Sequence, residues 1–393
     1  MKVLFILSRF PYPLEKGDKL RAYHQIRTLS AKHEIFLFAI SDKRVEDWQV
    51  REMQKYCKAV NVFRLTFPSI IINICLTFFN KLPFQSGYFY SALAKRQLDA
   101  WIDAIKPALI IFQLIRTAAY SKNVKGTTLT LDYMDALSKG VERRIASVSP
   151  FLRPLFRMEY RRLLKYESAV AVEFDNLLII SKQDKELIPV NNERIEVIKN
   201  GVDLTYFKHI DCEDEYDILF NGNMSYPPNI EGAEFLVKKI IPLVKEKIPS
   251  LKVLISGANP SARVKALGDQ DVTISGWSED IRQNFAKSKM LVAPMFYGSG
   301  LQNKLLEAMA MQKPCITSNL ANNALGAIDG ESILIADTPE EYAEHIILLL
   351  SDKAMREKIA KNGYRFVAQN YSWEKETEKL ETLLVSSMKS NNK

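Results

Sequence analysis

Short apolar segments alternate with longer amphipathic segments along the whole chain, and this alternation restricts the fold more than any other feature. The short segments are apolar at successive positions, the pattern of strands buried on both faces of a parallel sheet. The first series of predicted strands comprises residues 3–7, 35–40, 109–112, 128–131, 177–180 and 195–198. The second series comprises residues 217–220, 252–255, 272–274, 290–293 and 314–317. The sequence therefore predicts an α/β protein with two parallel-sheet domains.

The two strand series are separated near residues 200–215, where the chain becomes polar. Asn200-Gly201 is typical of a turn, and the acidic run 211–215 is typical of a linker. We therefore place an N-terminal domain at residues 1–205 and a second domain at residues 206–365. The remaining segment, residues 366–393, has apolar residues at helical spacing, so we expect a helix that packs on the protein.

The four cysteines indicate the redox environment. They are far apart, with no C-x-x-C pair and no neighbouring histidines, so the sequence predicts neither a disulfide framework nor a zinc site. We expect a cytoplasmic protein. Residues 1–8 are predicted to form the first strand rather than a signal peptide. The most apolar later stretch, residues 70–79, is shorter than the roughly 20 residues that span a bilayer, so we expect no transmembrane helix.

Basic charge is concentrated in the first half of the chain. Residues 1–200 contain 32 basic and 20 acidic residues, whereas residues 201–393 contain 22 and 26. Such a one-sided surplus predicts contact with a polyanion or an anionic membrane. Neither half has an aromatic-plus-basic RNA motif or a recognition-helix pattern, so we expect no nucleic acid partner.

One basic segment is strongly patterned. Arg153, Arg157, Arg161 and Lys165 recur every four residues beside an apolar face. Together with the apolar region 70–84, this helix is predicted to lie on an anionic membrane surface. The alternative is a helix packed on its own domain with a solvated basic edge.

The sharpest local motif is residues 294–311, where a strand end is followed by a glycine loop at 298–300 and a helix. Backbone N–H groups at such a helix start form an anion site. Lys304 in the first turn opposes the helix dipole, and a bound diphosphate would offset its charge. Glu307, one turn further on, can accept hydrogen bonds from sugar hydroxyls. The alternative is a Lys304–Glu307 ion pair on an exposed helix, which contributes only a few tenths of a kcal/mol.

This segment belongs to an ordered series of motifs. Its members are Asn200-Gly201-Val202-Asp203, Phe207, Gly222, Gly257, residues 276–281, Gly298, Gly300, Lys304, residues 307–310 and Lys313-Pro314. The series resembles glycosyltransferase family 4, which comprises retaining enzymes of the GT-B fold. The opening segment, residues 11–21, resembles that of bacterial exopolysaccharide sugar transferases in this family. The resemblance extends over nearly the whole chain and is densest from about residue 195 to 335.

The resemblance implies two Rossmann-like domains that face each other across a cleft, with a C-terminal helix that crosses back to the first domain. It implies that a hexosyl or related sugar passes from a nucleotide-sugar donor to a lipid-linked or polysaccharide acceptor, with retention and without a metal or other cofactor. We expect an enzyme on the inner face of the cell membrane that acts in cell-surface glycan synthesis. Two alternatives stay open: a catalytically inactive GT-B scaffold for assembly, and a GT-B nucleotide-sugar epimerase.

The resemblance also assigns donor-binding residues. Glu307 matches the second glutamate of the family's E-x7-E motif, which binds the ribose, whereas the first glutamate falls at Ser299. The family's donor-phosphate Arg and Lys are missing from residues 221–229, so Lys304 is expected to supply that charge and to act in catalysis. Asp269-Gln270-Asp271 matches a metal-binding D-x-D by its letters, but it precedes its strand, and we interpret it as a solvated turn. The expected donor-binding residues are Gly17, Asn223, Ser299, Gly300, Leu301, Lys304 and Glu307.

The acceptor is expected to contact the first domain. Asp132 and Asp135 end a predicted strand at its carboxyl edge, where open α/β sheets bind ligands. We assign Asp135 as the catalytic residue that orients or deprotonates an acceptor hydroxyl, with a helix cap for residues 136–145 as the alternative. Asp18 opens the helix after the first strand and either caps it or contacts the acceptor. The expected acceptor-side residues are Asp18, Arg21, His24 and Asp132.

Overall fold

The computed structural model describes residues 1–14, 16–145, 148–296 and 301–391. It divides into two compact units, Met1–Lys199 with Trp373–Lys393, and Asn200–Ser372. The chain passes between the units after Lys199 and after Ser372, and not at the predicted boundaries at 205 and 365. Hydrogen bonds near these positions join each connecting segment to one of the units. The Lys199 N–H donates to Glu376 Oε2 at 2.9 Å within the first unit. The Val202 N–H donates to the Tyr371 carbonyl at 2.8 Å within the second.

The described residues of the first unit form a seven-stranded parallel sheet in the order β3-β2-β1-β4-β5-β6-β7. The strands are β1 (Lys2–Leu7), β2 (Glu34–Ser41), β3 (Cys57–Arg64), β4 (Leu109–Gln113), β5 (Thr128–Asp132), β6 (Asn176–Ile179) and β7 (Ile195–Val197). Strand β3 is absent from the predicted strands, because this edge strand mixes polar and apolar residues and is mostly half-buried. An edge strand has no need for the continuous apolar run that marks a central strand.

Helices of the first unit cover both faces of this sheet. They are α1 (Gly17–Leu29), α2 (Asp47–Gln54), α3 (Phe67–Asn80), α4 (Phe84–Phe89), α5 (Ala92–Ile105), α6 (Leu137–Arg144), α7 (Arg153–Val170) and α8 (Lys182–Leu187). Strand β1 shows how the two cores arise, since successive side chains point to opposite faces. Leu4 and Ile6 belong to one buried cluster, whereas Val3, Phe5 and Leu7 belong to the other.

The described residues of the second unit form a six-stranded parallel sheet in the order β10-β9-β8-β11-β12-β13. The strands are β8 (Tyr216–Asn221), β9 (Val253–Ser256), β10 (Val272–Gly276), β11 (Ser288–Ala293), β12 (Cys315–Thr317) and β13 (Leu334–Ile335). The helices are α9 (Pro227–Phe235), α10 (Ile241–Lys245), α11 (Ala262–Lys265), α12 (Ile281–Ala286), α13 (Asn303–Ala310), α14 (Asn319–Leu325), α15 (Pro339–Ser351) and α16 (Lys353–Asn370). The prediction of two parallel-sheet domains is confirmed.

The last helix, α17 (Trp373–Asn391), packs with the first unit. Its residues Leu380 and Leu384 are fully buried in the same cluster as Val3 and Phe5 of β1. Within the described residues, no helix combines the length and the apolar character needed to cross a bilayer.

Candidate functional site

The second sheet winds in two directions from its centre. From β8 the chain proceeds outward through β9 and β10, and it then returns to place β11 on the other side of β8. Open α/β sheets bind ligands outside the carboxyl ends of the strands at such a switch point. In this unit, Gly222 and Asn223 follow β8, and the segment that leads into α13 follows β11.

Two glycines shape the strand ends beside this switch point. A Cβ atom on Gly257, after β9, would lie only 1.6 Å from the Gly222 carbonyl oxygen. A Cβ atom on Gly222 would lie 2.6 Å from Asn229 Nδ2. The backbones of the two strand ends and the side chain of Asn229 therefore approach more closely than any other residue type would allow.

Lys304 lies in the first turn of α13, and only 8% of it is exposed. Its Nζ donates to Asn229 Oδ1 at 2.7 Å and lies 4.8 Å from the centre of the Phe220 ring. Asn229 Nδ2 in turn donates to the Asn223 carbonyl oxygen at 2.9 Å. Burial lowers the pKa of Lys304 to about 7, and the charge of Glu307 opposes this shift. In the described part of the chain Lys304 forms no ion pair, so the exposed Lys304–Glu307 pair is not found.

Glu307 lies one turn after Lys304 on α13 and is half-buried. Desolvation raises the pKa of its carboxyl group to about 7, and the positive charge of Lys304 opposes the shift. No group in the described residues donates a hydrogen bond to this carboxylate. A cation and a carboxylate on one helix, with neither an ion pair to the first nor a hydrogen-bond donor to the second among the described residues, suit a ligand that carries phosphates and hydroxyls.

The other expected donor-binding residues of the second unit lie along the chain between β11 and α13 and in the turn after β8. Gly298, Ser299 and Gly300 lie outside the described residues. Leu301 is half-buried and packs against the apolar cluster around α13. Asn223 builds the turn after β8, because its Oδ1 accepts from the Ser225 N–H at 3.0 Å and from the Ser225 hydroxyl at 2.8 Å.

The D-x-D sequence before β10 is a turn, as predicted. Asp269 Oδ1 accepts from the backbone N–H groups of Asp271 and Val272, each at 2.8 Å. Lys245 and Lys252 bind the Asp271 carboxylate and lower its pKa to about 2. Both carboxylates are thus engaged by groups of the protein itself.

Arg21 and Asp132 form an ion pair in the interior of the first unit. Arg21 Nε donates to Asp132 Oδ2 at 2.6 Å, and both side chains have 0% exposure. Arg21 Nη1 also donates to the Ile198 carbonyl at 2.8 Å. This burial corrects the acceptor-side assignment of both residues: their charges satisfy each other and join α1, β5 and the end of β7, and neither side chain reaches the surface.

His24 also lies in the interior, with 3% exposure. Its ring stacks on the Trp373 ring at 4.8 Å between centres, with 7° between the planes. The acceptor-side assignment of His24 is corrected for the same reason. Its imidazole packs α1 against the first residue of α17.

Asp18 is buried, with 9% exposure, in the first turn of α1. Helix α1 begins at Gly17 with Lys16 as its N-cap residue, so Asp18 is not the cap. Arg9, which follows β1, donates from Nη1 to Asp18 Oδ2 at 2.6 Å. Arg9 remains 29% exposed in this pair, so an anion can still reach its guanidinium.

Asp135 is exposed at the carboxyl edge of the first sheet. Desolvation and the negative charge of Asp184 raise the pKa of its carboxyl group to about 6, and Arg116 opposes the shift. The helix-cap alternative is wrong, because Glu167 caps α6 from another helix. Glu167 Oε1 accepts from the Ser138 N–H at 2.8 Å, and Oε2 accepts from its hydroxyl at 2.6 Å. The Asp135 carboxylate is therefore available to a ligand.

Sequence analysis missed Arg116, which follows β4 at this edge. Its Nη2 donates to Gln85 Oε1 at 2.9 Å, while Nε and Nη1 are buried without a partner in the described residues. The charges of Asp18 and Asp135 act on this guanidinium. The available signal was an arginine shortly after a strand that begins with four apolar residues, a position that resembles that of Arg9.

The second unit matches a known family. Residues 215–352 match the model described as Glycosyl transferases group 1. A relative from Klebsiella pneumoniae, the "Uncharacterized 44.6 kDa protein in cps region", is 23% identical over 398 residues, with 95% of this chain and 97% of the relative covered.

Solved structures are similar over nearly the whole chain. Sucrose-phosphate synthase from Thermosynechococcus elongatus has a TM-score of 0.73 at 15% identity and covers 99% of this chain and 100% of its own. HepE from Anabaena, solved in complex with UDP and glucose, has a TM-score of 0.72 at 15% identity. The match covers 98% of this chain and 100% of the HepE chain. With two Rossmann-like parallel sheets, the protein has the GT-B fold of glycosyltransferases.

Proposed function

We propose that the protein is a retaining glycosyltransferase that transfers a hexosyl or related sugar from a nucleotide-sugar donor to a lipid-linked or polysaccharide acceptor. The observation that carries this proposal is the buried Lys304, which forms no ion pair with any described residue and lies beside Glu307 in the first turns of α13. The UDP and glucose bound to HepE support a diphosphate donor. The cps region of the Klebsiella relative supports a role in cell-surface glycan synthesis.

In the proposed reaction, Lys304 binds the diphosphate of the donor. The bond between the anomeric carbon and the phosphate oxygen breaks, and Lys304 stabilises the negative charge that builds on the departing nucleoside diphosphate. Glu307 accepts hydrogen bonds from the ribose hydroxyls. Because a lysine charge and helix N–H groups balance the diphosphate, the reaction needs no metal ion.

The acceptor hydroxyl is proposed to bind to the first unit near Asp135. Its oxygen attacks the anomeric carbon from the face that the diphosphate leaves, which retains the configuration. Asp135 in its carboxylate form accepts a hydrogen bond from this hydroxyl, orients it and takes its proton as the new bond forms, and the charge of Arg116 opposes the rise in the pKa of this carboxyl group. The exposed carboxylate and its pKa near 6 support this role.

We further propose that the enzyme acts in the cytoplasm, as a peripheral protein on the inner face of the cell membrane. The net charge of +8 and the basic surplus in residues 1–200 support attraction to anionic lipids. A lipid-linked acceptor would bring its sugar to the same surface.

The test is titration calorimetry with UDP and other nucleoside diphosphates, followed by a transfer assay with lipid-linked acceptors. Lys304→Ala is expected to lose nucleotide binding by roughly 10- to 100-fold, since it removes a charge-assisted hydrogen bond. Glu307→Gln is expected to weaken the binding of nucleoside diphosphates but not the binding of inorganic diphosphate, which has no ribose. Lys361→Ala and Glu344→Gln, at exposed positions of the same unit, are the matched controls.

The same measurements separate the two alternatives. A GT-B scaffold without activity would bind no nucleoside diphosphate, and a nucleotide-sugar epimerase would consume the donor without any acceptor. Wild-type affinity in Lys304→Ala would remove Lys304 from the mechanism and refute the proposal as stated.

A further inference from the structure

A groove of about 830 Å³ lies between α3 and α7 in the first unit. Arg157, Arg161 and Lys165 line its α7 side, and Lys81 and Phe78 line its α3 side. These four cations are exposed, and within the described residues none of their side chains forms a hydrogen bond or an ion pair. None of the described residues that line the groove is acidic. The groove therefore concentrates positive charge that the protein itself does not neutralise.

Contacts between α3 and α7 hold the walls of the groove in place, and they include those of Arg162, which also lines the groove. Arg162 Nη1 donates to the carbonyl groups of Thr77 at 3.0 Å and Leu82 at 3.2 Å, which caps the end of α3. Its guanidinium also lies 4.9 Å from the centre of the Phe84 ring. Glu159, the acidic residue of α7 nearest these contacts, accepts from the Phe84 N–H at 2.6 Å and does not line the groove. The separation of α3 and α7 is thus fixed before a ligand binds.

An exposed apolar surface adjoins the cations. On α3, Phe67, Ile72 and Phe79 are 75%, 59% and 84% exposed, and Phe151 just before α7 is 93% exposed. Side chains of this size are rarely grouped in contact with water unless they meet an apolar partner. Helix α3 has 14 residues, so it is too short to cross a bilayer but can lie in the interface.

We infer that the α3–α7 groove binds the phosphate headgroup of a membrane lipid, while the exposed face of α3 contacts its acyl or isoprenoid chains. The cations select a phosphate, for which arginine supplies paired N–H donors. The apolar surface beside them selects a lipid over a soluble phosphate, since a soluble phosphate would leave Phe67, Ile72 and Phe79 in water. This inference rests on the membrane partner in the proposed function and specifies where on the chain that partner binds.

The experiment is flotation of the full-length protein with phosphatidylcholine vesicles that contain or lack phosphatidic acid. We expect binding only when the phosphatidic acid is present. The triple variant Arg157→Ala/Arg161→Ala/Lys165→Ala should bind on the order of 100-fold more weakly, because each basic residue near an anionic surface contributes about fivefold. The double variant Phe67→Ser/Phe79→Ser should also lose binding, although its charge is unchanged.

Matched controls test whether the position of the residues matters. Lys58→Ala/Lys122→Ala/Lys125→Ala removes the same charge from other exposed positions of the first unit, and Leu93→Ser/Val172→Ser removes exposed apolar side chains elsewhere. Both should bind vesicles like the wild type. Circular dichroism and thermal unfolding verify that each variant is folded.

Three results would overturn the inference: equal binding to vesicles without phosphatidic acid, an equal loss in the control triple variant, or competition by glycerol phosphate at the affinity of the vesicles. The last result would identify a soluble phosphate as the ligand. Calorimetry with UDP on the same variants keeps the two proposals apart. If the protein binds UDP but no vesicles, the proposed transfer function stands and the lipid-binding inference is refuted. If it binds vesicles but no nucleoside diphosphate, the proposed transfer function alone is refuted.

Discussion

Replacing Lys304 with methionine should stabilise the unliganded protein while removing its affinity for a nucleoside diphosphate. Burial lowers the pKa of this lysine from 10.5 to about 7, which means that the folded state disfavours its charged form. A lysine with a lowered pKa destabilises the fold at every pH below the folded value, and this cost disappears as the pH rises towards the unfolded value. Methionine has a similar length and carries no charge.

The magnitude follows from the pKa and from one hydrogen bond. A fall from 10.5 to about 7 corresponds to ~5 kcal/mol of folding free energy at pH 6, and to ~1 kcal/mol at pH 10. The variant also loses the 2.7 Å bond from Lys304 to Asn229 Oδ1, and an unsatisfied buried oxygen costs ~1–3 kcal/mol. The net gain at pH 6 is ~2–4 kcal/mol, which is roughly 5–15 °C for a unit of this size. At pH 10 the gain vanishes.

The assay is calorimetric melting of the wild type and of Lys304→Met at both pH values, with and without UDP. Lys361→Met, at an exposed position on α16, is the control and should leave the melting temperature unchanged. UDP should raise the melting temperature of the wild type and of the control but not that of Lys304→Met. A lower melting temperature for Lys304→Met at pH 6 would refute the reasoning, because it would mean that the buried charge stabilises the fold.

Three further predictions concern other residues. Arg21→Met should destabilise the first unit by ~3–5 kcal/mol in urea unfolding, because Asp132 would be buried without its cation. The double variant Arg21→Met/Asp132→Leu should recover most of this loss of stability. Equal destabilisation in both variants would contradict the role of the pair. Gly257→Ala should yield little folded protein, because a Cβ atom there would lie only 1.6 Å from the Gly222 carbonyl oxygen. The control Gly140→Ala should fold normally, because its added Cβ atom would have open space around it. The transfer rate should rise as the pH increases through about 6, because Asp135 acts as a carboxylate and its raised pKa of about 6 keeps it protonated at lower pH. Asp135→Asn should lose both the transfer rate and this pH dependence. If the residual rate of that variant still fell at low pH in the same way, another group would be responsible for the pH dependence.

Much of the fold could be predicted because it depends on local pattern. The central strands are apolar on both faces, and alternate residues of β1 separate into two cores as a period of two requires. Strand β3 could not be found in this way, since an edge strand does not need an apolar run. The exact division of the units was also not predictable, because it depends on hydrogen bonds such as that between Lys199 and Glu376, which are 177 positions apart.

The site residues divide along the same line. Lys304 and Glu307 were predicted because both lie in one short motif, where a cation opposes a helix dipole, and their role in donor binding stays a prediction. Arg21, His24 and Asp132 were assigned to the acceptor because polar residues near a strand end suit a ligand, but tertiary partners bury all three. Arg116 was missed, because its buried N–H groups become apparent only when α4 and β4 are packed together.

The sequence by itself determined the class of fold, the order of the strands along the chain and the helix that carries Lys304 and Glu307, since each depends on neighbouring residues. Only the tertiary structure decided which charges are used. It paired Arg21 with Asp132, 111 positions away, and it left Asp135 exposed while Glu167 binds the start of the adjacent helix. It also buried Lys304 against Asn229, with no ion pair in the part of the chain that the structure describes. The physical reason is that the free energy of a charge depends on its solvation and its partners, and both come from segments that are distant in sequence.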